Sequence, residues 1–156
     1  MDGYELGTPS ASVTAAGVLM EILNPGAATA PRMAITEIDV FWASGASTSI
    51  AFGLGRPGNT PTTGTQITGS PDDPAAPAAI GATAIAGWGT APTVPAKYLR
   101  QAAIASSGGN GVIWTWPVTQ PLIIPPNARN NGLLLWCTAI GSATATVLNV
   151  TVRWAE

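Results

Sequence analysis

The residues of this chain that could do chemistry are few, and histidine is missing altogether. Its absence removes the commonest general base and the commonest transition-metal ligand. Serine triads, thiol–imidazole pairs and histidine-held zinc are excluded in their usual forms. Glu37 and Asp39 stand two apart on one strand face. Such a pair reads as a glycosidase site, a calcium site or two solvated side chains. Glycosidases oppose their carboxylates across a cleft, usually from separate elements, and calcium needs several oxygen ligands, so the solvated reading is preferred. Gly53-Leu54-Gly55-Arg56-Pro57-Gly58 matches the G-x-G-x-x-G string, which cradles a phosphate only when a helix follows it. Pro57, Gly58 and Pro61 forbid that helix, which leaves a glycine-rich turn. Asp72-Asp73-Pro74 reads as a turn start. Cys137, the single cysteine, cannot form an internal disulfide and reads as an inert buried thiol. Asn149-Val150-Thr151 has N-glycosylation spacing and is taken as chance. No catalytic, cofactor-binding or metal-ligating residue is assigned, no cofactor is implied, and the chain is read as non-enzymatic.

Six tryptophans remain. Large aromatics dominate burial in cores and interfaces. Trp42, Trp114, Trp116 and Trp154 lie on the apolar faces of their segments and are read as core. Trp88 lies in Gly87-Trp88-Gly89, a loop-like setting, and is a candidate partner contact. Trp136 opposes Leu135 and Cys137 and is a second candidate. Tyr4, in the N-terminal segment, is a third.

The elements that carry these residues alternate with period two, the signature of half-buried strands. Ile38, Val40 and Trp42 share one face of Thr36 to Trp42, with Glu37 and Asp39 on the other. Thr48, Ile50, Phe52 and Leu54 repeat the pattern, and the turn around Gly45 suggests a hairpin. Val112, Trp114, Trp116 and Val118 form a third apolar face. Leu122 to Ile124, between Pro121 and Pro125, reads as a sheet edge or strand terminus. Leu133 to Ile140, after the Asn130-Asn131-Gly132 turn, is apolar on both faces and reads as a central strand. Gly141-Ser142 is expected to turn it into a second hairpin, in which Leu148, Val150, Val152 and Trp154 face in and Asn149, Thr151 and Arg153 face out. Val13 to Leu23 fits a strand or a short helix. Strand is preferred, because Asn24-Pro25-Gly26 ends it as a turn. Ile80 to Trp88 and Lys97 to Ile104 alternate weakly, and Arg56 to Ala79 has no period and reads as a long loop.

About eight short strands with regular turn signals and no helix predict an all-β protein, a jelly-roll-like sandwich of antiparallel strands. The expected organisation is an N-terminal arm over residues 1–10 and one sandwich domain over 11–156. Charged residues make up 9% of the chain and Lys97 is the only lysine. Nucleic-acid binding needs clustered cations, so no nucleic acid is expected. Prolines and glycines interrupt every long uncharged stretch, so no membrane-spanning helix is expected. MDGYELGTPS has no leader character, which predicts synthesis in the cytoplasm. So little charge suits a surface covered by partners.

The C-terminal third, PLIIPPNARNNGLLLW from Pro121 to Trp136 with the threonine-rich strand that ends at Val152-Arg153-Trp154, resembles the jelly-roll decoration (cement) proteins of tailed-phage heads. The wealth of Ala, Thr, Gly and Pro with almost no lysine is similar too. The resemblance implies a virion protein made in the host cytoplasm and seated on the major capsid protein lattice. It implies homo-oligomers, trimers favoured, with an N-terminal arm laid against the capsid. It carries over no individual residue. The alternative is a carbohydrate- or receptor-binding sandwich module of a phage tail or similar assembly, since fold alone does not separate the two.

Overall fold

Period-two alternation makes the strands, and their shared apolar faces make one core between two sheets. The computed structural model describes residues 2–12, 17–43, 49–62, 64–105, 110–127, 131–140 and 147–156. Its strands are β1 (Gly3–Pro9), β2 (Gly17–Leu23), β3 (Met33–Trp42), β4 (Ile50–Gly55), β5 (Gln66–Thr68) and β6 (Ser70–Pro71). They continue with β7 (Ala82–Ala84), β8 (Arg100–Ile104), β9 (Gly111–Thr115), β10 (Leu122–Ile124), β11 (Leu133–Ile140) and β12 (Leu148–Ala155). The first sheet runs β10-β3-β12-β1-β6, with β9 also on β3, and the second runs β5-β7-β2-β11-β4-β8. Every pairing is antiparallel. The protein is an all-β sandwich.

The alternation places the core as expected. Ile38, Val40 and Trp42, then Ile50, Phe52 and Leu54, then Leu148, Val150, Val152 and Trp154 are all buried and pack into a single cluster between the sheets. β2 is a strand, not a helix, and β11 is central, between β2 and β4. β10 is an edge strand on β3. β9 continues the same edge of β3, and Pro117 and Pro121 fall between the two pieces.

Neither expected hairpin exists. β3 belongs to the first sheet and β4 to the second, and β11 and β12 are divided in the same way. The turns expected at Gly45 and Gly141-Ser142 fall on residues outside those described, as do Thr48, Asn130 and the segment before Gly17. The physical reason is a degeneracy. A strand that buries one face looks the same whether the next strand lies beside it or packs across the core from it.

Residues 3–9 are not a separate arm. β1 pairs along its length with β12, Gly3 opposite Ala155 through Pro9 opposite Asn149, and its other edge meets β6. Tyr4 and Leu6 are buried, so detaching this strand would expose core side chains and orphan a ladder of backbone bonds. Two further expectations are corrected. Val118 lies beyond β9 and is 77% exposed, and the long loop from Arg56 to Ala79 contains β5 and β6.

The two chain ends are tied together. Asp2 and Glu156 exchange backbone hydrogen bonds. The Glu156 carboxylate accepts the Trp154 indole N–H at 2.8 Å and the backbone N–H groups of Ile80 and Gly81 at 3.1 and 2.7 Å. Trp154 also stacks on Tyr4, with ring centroids 5.9 Å apart. One terminal carboxylate thereby joins β12 to the start of β7.

Candidate functional site

The outer faces of the two sheets differ in what covers them. On the first sheet, strand register sets Glu5 on β1 and Glu37 on β3 opposite Arg153 on the intervening β12. The Arg153 guanidinium pairs with Glu5 at 2.8 Å and with Glu37, and lies 3.7 Å from Asp39. The carboxylate pair singled out in the sequence is thus part of a lattice of three acids around one arginine. Among the described residues, no group of metal-ligating side chains forms a cation site.

Burial, followed by the nearby charge of Glu5, raises the Asp39 carboxyl above its ordinary value. A raised carboxyl keeps its proton longer in the folded state, so its ionisation costs stability as pH rises from the ordinary carboxylate range through the raised value. Asp39→Asn is therefore expected to unfold at a higher denaturant concentration than the parent at neutral pH. The gap should close in acid, below the ordinary carboxylate value. Urea midpoints measured across pH check this, and a gap that is constant with pH would refute it.

The second sheet is roofed by a strap, residues 85–99. Backbone bonds lay it against residues 58–65: Gly58 N–H to Thr93 O, Thr62 N–H to Thr90 O and Thr65 N–H to Ala86 O. Asn59 adds side-chain bonds to Ala91 and Thr93, and Leu99 N–H returns the strap to Leu54 at 2.7 Å. Two aromatic rings fasten it. Trp88 packs on Leu23, Ala82 and Ala84 and donates its indole N–H to the buried Glu21 carboxylate at 2.8 Å. Tyr98 stacks on Trp136, centroids 5.0 Å apart.

Trp88, Trp136 and Tyr4, the three contact candidates, are accordingly engaged within the chain. Trp136 is 1% exposed, Tyr4 is 3% exposed, and Trp88 is half-buried with its polar atom satisfied. Trp88→Phe keeps the ring but removes the donor to a buried carboxylate, so it should cost about 1–3 kcal/mol. A denaturation curve that superimposes on the parent's would refute the pairing. Of the tryptophans read as core, Trp42, Trp114 and Trp154 are buried. Trp116 is only partly so and carries the Arg100 guanidinium 5.3 Å from its ring centre.

The glycine string now has a structural meaning. Leu54 points into the core, so Gly53 and Gly55 face the roof. A Cβ on Gly53 would come within 2.5 Å of the Tyr98 ring and 2.9 Å of Trp136. One on Gly55 would meet the Lys97 carbonyl at 2.8 Å. The glycines are the seat of the strap, not a phosphate cradle.

Tyr98, 44% exposed, stands between two clefts. One, of about 410 Å³, is lined by Arg56, Pro57, Gly58 and residues 95–99. The other, of about 330 Å³, lies over Gly17, Val94, Trp136 and Thr138. In the first, Arg56 is half-buried and donates to the carbonyls of Asn131, Gly132 (3.3 Å) and Ile123 (2.8 Å). No carboxylate pairs with it among the described residues, and burial pulls its guanidinium below the ordinary arginine value. No family model matches the chain, and no curated protein or solved structure does. The candidate site therefore rests on geometry alone: Arg56, Lys97, Tyr98 and Leu99 around one cleft. Tyr98 and Leu99 were not singled out in the sequence. The paired glycines on one strand face, which demand something large above them, were the signal.

Proposed function

We propose that this protein is a structural virion protein that decorates and stabilises a phage capsid through protein–protein contacts, seated on the major capsid protein lattice as a homo-oligomer, with a trimer favoured. The observation that supports this reading is its surface. A chain with 9% charged residues leaves Val94, Leu99, Ile113 and Val118 between 41% and 77% exposed. Exposed apolar side chains on a surface with little charge suit association rather than solvation. β9, which carries Ile113, is an edge strand without a charge, and such edges invite pairing unless a partner covers them. With residues 3–9 built into the first sheet, docking falls to the folded domain and not to an ordering arm.

Light scattering behind a sizing column and co-sedimentation with capsids assembled from the major capsid protein of the same genome test the proposal. A stable oligomer that sediments with capsids, weakened in both respects by Ile113→Lys with an unchanged melting curve, is the expected result. A strict monomer that stays in the supernatant would refute it.

A further inference from the structure

We propose that the cleft beside Tyr98 binds an acidic saccharide, with a sugar ring on the exposed tyrosine and its carboxylate on Arg56 and Lys97. Three observations lead there. The first is charge. Two of the six cationic residues line this cleft, and none of the eight acidic residues does. Seven of those acids, Asp2, Glu5, Glu37, Asp39, Asp72, Asp73 and Glu156, lie on or beside strands of the first sheet or at the chain ends, and Glu21 lies beneath Trp88. The cleft is thus a cationic spot on a protein of net charge −2.

The second is preorganisation. Three backbone carbonyls hold the Arg56 guanidinium in place without neutralising it. Among the described residues, these bonds engage Nη1 and one hydrogen of Nη2, leaving Nε–H, the second Nη2 hydrogen and the full positive charge for a carboxylate, with little entropy to lose on binding. Lys97 is exposed and lines the same cleft, adding a second charge.

The third is shape. Pro57, Pro95, Leu99 and Tyr98 make rigid apolar walls, which suit the C–H faces of a sugar ring. The volume of about 410 Å³ falls within the usual range for small-ligand sites. An acidic peptide bound by strand addition would need a free strand edge for its main-chain bonds. Through Leu54, β4 has none: it pairs with β11 on one side and β8 on the other. A compact ring ligand is therefore favoured over a peptide added as a strand, and a polyglutamate control tests the other peptide modes. This inference is tested separately from the capsid reading: Leu99 is exposed in both, but the capsid test reads Ile113 on the β9 edge and the sugar test reads Lys97 and Tyr98.

The test is calorimetric titration of the full chain with trigalacturonate, with neutral maltotriose, sodium acetate and a short polyglutamate peptide as controls. Saturable binding of trigalacturonate alone is expected, weakening as salt rises. Lys97→Glu, at an exposed position, should lower the affinity about tenfold or more, one charge contact being lost. Tyr98→Ala, which removes both a stacking face and a ring that fastens the strap, should lower it at least as much. Circular dichroism verifies that both variants fold, so the result does not depend on an Arg56 substitution that breaks three carbonyl contacts. Equal binding of maltotriose, equal binding of acetate or polyglutamate, no saturable heat with trigalacturonate, or full affinity in either folded variant would each overturn the proposal. Capsid co-sedimentation of Lys97→Glu is run alongside. Unchanged sedimentation with lost sugar binding separates the two functions.

Discussion

Trp136→Ala is expected to cost about 3–5 kcal/mol, the range for deleting a buried large aromatic. The melting temperature should fall by about 10 °C for a domain of this size. Trp136 is 1% exposed, and its ring is the floor on which Tyr98 rests. Its loss leaves a cavity above Gly53 and Gly55 and removes the face that holds the strap. The effect should therefore exceed a simple cavity term. Near-ultraviolet circular dichroism should lose the coupled Tyr98–Trp136 signal, and limited proteolysis should cut within residues 93–99 at a temperature where the parent resists. A melting temperature within 2–3 °C of the parent's, which corresponds to about 1 kcal/mol, would show that the stack contributes little.

Gly53→Val should be the second largest effect, and its sign opposes local propensity. Valine is a better strand former than glycine, so on backbone grounds the change ought to stabilise β4. Here the new side chain would have to occupy space held by the Tyr98 and Trp136 rings, at 2.5 and 2.9 Å from its Cβ. Overpacking of this kind costs about 1–3 kcal/mol. Because Tyr98 is on a strap and Trp136 is in a central strand, the strap should give way first. The variant should therefore stay folded in its core while both clefts lose their shape. Gly58→Ala is the control within the same glycine string. Its Cβ meets the Thr93 hydroxyl at 2.9 Å, the end of a small side chain that can rotate away, so its denaturation midpoint should move little. Equal costs for the two substitutions would argue against the seat.

These two expectations share one cause. The string from Gly53 to Gly58 resembles a nucleotide-binding motif in letters but lacks the helix that gives such a motif its electrostatics. The same spacing that brings a phosphate close to a backbone also brings an aromatic ring close to one. What sits above Gly53 and Gly55 is decided by residues 40 or more positions later, 95–99 and 136, and no local rule connects them.

Period two by itself determined the inward-facing residues of β3, β4 and β12 and that the protein is all-β, and apolarity on both faces marked Leu133 to Ile140 as a central strand. Each of these follows from the side chain's own solvation: an apolar side chain on every second position must turn away from water wherever its strand is placed. Proline placement likewise limited Leu122 to Ile124 to a sheet edge or a strand terminus, because a residue without an N–H cannot extend a ladder, and the structure shows an edge. The tertiary structure alone decided which strands are neighbours. Strands that follow one another at Gly45 and at Gly141 pack across the core instead of pairing, and alternation is blind to that choice. It alone placed Gly3 to Pro9, expected as part of an arm, in β1, since the partner that buries Tyr4 and Leu6 is β12, far along the chain. It also decided the site. Trp136 and Trp88 looked like surface contacts because their own strand or loop offered no cover. The cover came from Tyr98 in one case and from Glu21, Leu23 and the alanines of β7 in the other. Burial inside a strand's own face is a local property, whereas burial on its outer face depends on what the rest of the chain lays over it.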